Sequence, residues 1–178
     1  MEVLEIIHSI NEMRLSTTQH PEDLGQRSDL EARLLNLRQV LEPGERSEGL
    51  RACRILATAE LYRLAALLYL QRVCPSAIDD ITRSVYVQQA IHILQGMEVA
   101  SSPWPVFVVA CEIPDEERVS LLRTLDQMDS VRSIGNIKVL REVIESIWKQ
   151  YDLRSTSESS QDSNWLQFVD CEVPVPWF

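Results

Sequence analysis

A 22-residue stretch, Ala52–Val73, reads ACRILATAELYRLAALLYLQRV and constrains the fold more than any other part of this chain. From Leu61 to Leu70 its apolar residues fall on almost every face of a 3.6-residue wheel. Ala and Leu favour helix, and neither Gly nor Pro interrupts them. A helix that is apolar all round has to be covered all round. The apolar run is about ten residues, whereas a bilayer span needs roughly 20. The expectation is a central helix over about residues 46–74, with other helices packed on it. Its polar members, Tyr62, Arg63 and Tyr69, then need partners or a cavity.

The rest of the chain supplies those helices. Val3, Ile6, Ile7, Ile10 and Met13 recur at helical spacing, as do Leu30, Leu34, Leu37 and Leu41 behind a Pro21-Glu-Asp start. Glu42-Pro-Gly-Glu45 is a break. Pro75 closes the central helix, and Ser76 with Asp79 resembles a capping box. The helix that follows carries Ile78, Ile81, Val85, Ile91 and Leu94, with Gln88 and His92 beside them. The run Trp104–Cys111, WPVFVVAC, fits a buried strand or a short helix; with no strand elsewhere to pair with, helix is the expectation. Pro114-Asp-Glu-Glu opens a helix with Val119, Leu122, Leu125 and Met128. Ser133-Ile-Gly-Asn136 is a further break before the last long helix, about 137–152. The fold class is therefore all-α, a single orthogonal bundle of about seven helices around the buried central one. Residues 1–153 form the core domain, 154–164 a polar Ser-rich linker, and 165–178 an apolar segment expected to dock on the core.

Charge and cysteine usage narrow the chemistry. Seventeen Lys plus Arg against 27 Asp plus Glu give a net charge of −10, which disfavours nucleic acid and anionic lipid. No direct DNA binding and no membrane insertion are expected. Cys53, Cys74, Cys111 and Cys171 match no zinc spacing and read as small buried hydrophobes of a reducing compartment. The first residues lack the basic start of a secretory signal, so an intracellular, cytoplasmic protein is expected, nuclear if regulatory. His8, His20 and His92 fall on different elements, and neither metal nor cofactor is expected. Asp115-Glu-Glu and Asp79-Asp80 read as solvated first turns at positive helix ends.

Polar groups on otherwise apolar faces are the remaining candidates. Each of Tyr62, Tyr69, His92, Cys111, Glu112 and Asn136 is either a satisfied core partner or part of a ligand cavity between helices. Trp104, Phe107, Trp148, Trp165 and Trp177 are its aromatic walls in the second case, with Tyr62 and His92 the catalytic candidates.

Three stretches then stand out together: AELYRLAALLYLQRV (59–73), WPVFVVACEIPDEERVSLL (104–122) and GNIKVLREVIESIWKQYD (135–152). Their order and spacing of W-P-x-F-x-x-x-C-E, D-E-E-R and W-K-x-x-D resemble the fungal-specific transcription factor domain, the helical regulatory region of zinc binuclear cluster regulators. The resemblance implies an all-α fold serving regulation, effector sensing and dimer contacts, so a homodimer is compatible with it. The six-cysteine DNA-binding module of that family has no counterpart in this sequence, and the chain reads as a shortened regulatory domain. Three functions follow as expectations. The favoured one is an apolar pocket acting on a fungal natural-product small molecule, as a cofactor-free cyclase or isomerase of Diels–Alder type on a terpenoid or polyketide precursor. The others are a regulator without DNA contact, acting as partner or competitor of a full-length relative, and a ligand sensor or carrier with no chemistry, in either case serving a fungal biosynthetic gene cluster.

Overall fold

A computed structural model describes residues 2–15, 21–38, 40, 49–100, 102–131, 135–155 and 164–171. Among them are eight α-helices and no strand: α1 (Glu2–Leu15), α2 (Pro21–Asn36), α3 (Gly49–Val73), α4 (Asp79–Gly96), α5 (Pro103–Glu112), α6 (Asp115–Val131), α7 (Gly135–Ser155) and α8 (Leu166–Cys171). The all-α class holds. The expected turn at 42–45, the start of the central helix before Gly49, His20, Trp177 and most of the linker lie outside the described residues.

The helices fall into two compact units, Met1–Met97 and Glu98–Phe178. In the first, α3 packs against α1, α2 and α4. Residues 64 to 71 of α3 are all buried, as its all-round apolar sequence demands. Ile6 and Ile10 of α1, Leu30 and Leu34 of α2 and Leu94 of α4 contribute to the core of this unit.

The polar members of α3 are mostly accounted for by its neighbours. The Tyr69 hydroxyl donates to Asn11 Oδ1 at 2.6 Å and accepts from Arg14 Nη1 at 3.3 Å, joining α3 to α1. Arg63 donates to both Glu60 oxygens at 2.8 and 2.6 Å, and this pairing raises its pKa further. A longer bond, 3.5 Å, reaches the Leu34 carbonyl. That carbonyl lies in the last turn of α2, where it also accepts from the Leu37 N–H at 3.4 Å. Tyr62 is half-buried. Replacing Tyr69 with Phe keeps the ring but strips Asn11 and Arg14 of a shared partner. A loss of about 1–2 kcal/mol is expected, read as a lower urea midpoint at unchanged slope.

Two expectations are corrected at α4. Asp79 is not a solvated first-turn acid: it is 2% exposed and accepts from Arg27 Nη2 at 2.5 Å. Its other oxygen accepts from the Ser76 N–H at 2.6 Å, the side-chain limb of the capping box. Asp80 does face solvent. Nor do Ile78, Ile81 and Val85 point inward; they are 62, 75 and 50% exposed, together with exposed Gln88 and His92. Apolar residues occupy both sides of α4. Burial of Asp79 against Arg27 is compatible with only one rotation, and that rotation turns Val87, Ala90, Ile91 and Leu94 inward. Cysteine burial is corrected as well, because Cys53 is exposed and Cys74 and Cys111 are only half-buried. Helix α2 stops at Asn36, short of Leu41.

The second unit is arranged around α5 and α7, with α6 and α8 against α7. WPVFVVAC is a helix. Its two prolines fall in the first turn, where no intrahelical bond is lost. Trp104 through Ala110, seven residues in succession, are buried. Leu125 and Met128 of α6 and Leu140, Ile144, Ile147 and Trp148 of α7 are buried too, whereas Val119 is 56% exposed.

Candidate functional site

Of the site residues named from sequence, Tyr62, Tyr69 and His92 belong to the first unit. Trp104, Phe107, Cys111, Asn136 and Trp148 belong to the second. Tyr69 is wholly buried and hydrogen-bonded within the protein; His92 is on the exposed face of α4. Asn136 opens α7, and its side chain lies outside the described part. A depression of about 700 Å³ at the start of α3 is lined by Gly49, Leu50, Arg51 and Arg54, none of them a sequence-derived candidate. Among the described residues no group of three His, Cys, Asp or Glu is placed to hold a metal ion.

In the second unit, two of the candidates, Trp148 and Phe107, take part in contacts between helices. Helix α5 ends at Glu112, so the Ala110 carbonyl lies among its last, unpaired acceptors. Its ordinary partner would be the N–H four residues on, but that position is Pro114, which has none. Trp148 of α7 supplies the donor: its Nε1–H reaches the Ala110 oxygen at 2.9 Å in a buried bond. Trp148 is therefore a structural strut between α5 and α7.

The guanidinium of Arg118 lies over the outer face of the same indole, 5.1 Å from the ring centre. It donates to Asp115 at 2.8 Å and to both Asp152 oxygens at 2.9 Å. Asp115 and Arg118 start α6, and Asp152 ends the exposed side of α7, so one cation ties the two helices. The carboxylates are more than half exposed, so each ion pair taken singly contributes little. Geometry gives the cluster its value: stacking on Trp148 and pairing on two sides hold Arg118 in one position.

Sequence reasoning placed Asp115 correctly at a solvated helix start and missed its role in this clamp. The spacing from Asp115 to Arg118 is a standard neighbouring pair on a helix, which was a usable signal. Asp152, 34 residues from Arg118, carried none.

Trp165 is 1% exposed and meets Phe107 of α5 edge to face, with centroids 5.6 Å apart and planes at 87°. Its Nε1–H donates to Glu112 Oε1 at 2.5 Å. Leu166, Phe168 and Val169 are buried beside it and Gln167 is exposed. Burying these four apolar side chains contributes about 6–12 kcal/mol. Ordering the seven residues from 165 to 171 costs about 10 kcal/mol, at about 1.5 per residue.

The residues of W-P-x-F-x-x-x-C-E, D-E-E-R and W-K-x-x-D thus converge structurally. Phe107, Glu112, Asp115, Arg118, Trp148 and Asp152 all make the contacts that lock α5, α6, α7 and α8 together.

Comparison with known proteins gives the family. Residues 2–176 match the family described as "Fungal specific transcription factor domain". One relative is the protein named transcription factor iacI from Pestalotiopsis fici, 28% identical over 103 residues. That alignment covers 57% of this chain and 27% of the relative, so the chain spans about a quarter of the relative's length. No solved structure matches. No helix among the described residues is long and apolar enough to cross a membrane. With its match running almost from end to end, and its signature residues joined in one lock, the chain belongs to the fungal specific transcription factor domain family.

Proposed function

We propose that this chain is a regulatory domain of fungal gene expression, working through protein contacts in the control of a biosynthetic gene cluster. The family match over residues 2–176 carries the reading. The relative's name, a transcription factor, supports it at the level of the broad function.

The expected cofactor-free cyclisation finds less support. Such a reaction needs hydrogen-bond donors held ready for a substrate in a shaped cavity. The Tyr69 hydroxyl and the Trp148 and Trp165 indoles are instead taken up by protein acceptors, and His92 stands on an exposed helix face.

The test is a tethering assay. The chain is fused to an unrelated DNA-binding module and a reporter is measured, beside transcripts of the surrounding genes in a deletion strain. The regulatory reading expects a several-fold change in at least one. Unchanged reporter and transcripts, with the fusion present at normal level, would sink it.

A further inference from the structure

We draw no further inference here: the strongest candidate, the outer face of α4 on which Ile78, Ile81 and Val85 stand exposed beside Gln88 and His92, is an apolar stripe that nothing in the structure shows a partner to cover.

Discussion

Replacing Asp79 with Ala is expected to cost about 3–5 kcal/mol, because it leaves the Arg27 guanidinium buried without its carboxylate. Arg27 is 7% exposed, and among the described residues its Nε has no partner and the next acceptor for its guanidinium is Glu31, 4.0 Å away. The same change removes the acceptor of the Ser76 N–H and so weakens the start of α4. For a chain of this size each kcal/mol lowers the melting temperature by about 2–4 °C, giving a drop of about 6–20 °C. A double replacement, Arg27→Met with Asp79→Leu, separates two explanations. If the cost comes from an orphaned buried charge, the double variant recovers most of the lost stability, since apolar residues of similar volume replace such pairs at little penalty. If the double variant melts as low as Asp79→Ala, the cap and not the charge is what α4 loses.

Trp148→Ala is expected to be of similar severity, about 3–5 kcal/mol, since a buried aromatic is deleted from the joint of α5, α6 and α7. Trp148→Phe isolates the hydrogen bond. The ring stays, Arg118 keeps a face to stack on, and the Ala110 carbonyl is left buried without a donor. That costs about 1–3 kcal/mol. Thermal denaturation of both variants reads the division. Were Trp148→Phe to melt with the parent, the indole–carbonyl bond would contribute nothing, and the strut would be a packing feature alone.

What could be read from the sequence differed from element to element, for physical reasons. Helix α3 was legible because all-round apolarity leaves one arrangement, and α5 because a lone strand would have had no partner among helical neighbours. Helix α4 was misread because apolar residues lie on both of its sides. Periodicity could not choose between Ile81 with Val85 and Val87 with Ile91; the choice is made by Arg27, 52 residues before its partner. The candidate residues divide in the same way. Tyr69 and Trp148 were marked as polar or aromatic on apolar faces, which is correct, but nothing local named Asn11 or Asp152 as neighbours. Pro114 was the one local clue to the Trp148 bond, since a proline four residues past Ala110 announces a carbonyl in need of a donor.

The division of the chain at Met97 also bears on synthesis. All the ion pairs and hydrogen bonds described above close within residues 1–97 or within residues 98–178. When Met97 has emerged from a ribosome, every side chain that Asp79, Tyr69 and Arg63 bind is already made. The remaining 81 residues (178 minus 97) take about 4–16 s to add at 5–20 residues per second. Helical units with local contacts fold in microseconds to milliseconds. The first four helices are therefore expected to be assembled around α3 before the second unit is complete, sparing the long apolar helix a wait in which other exposed chains could capture it.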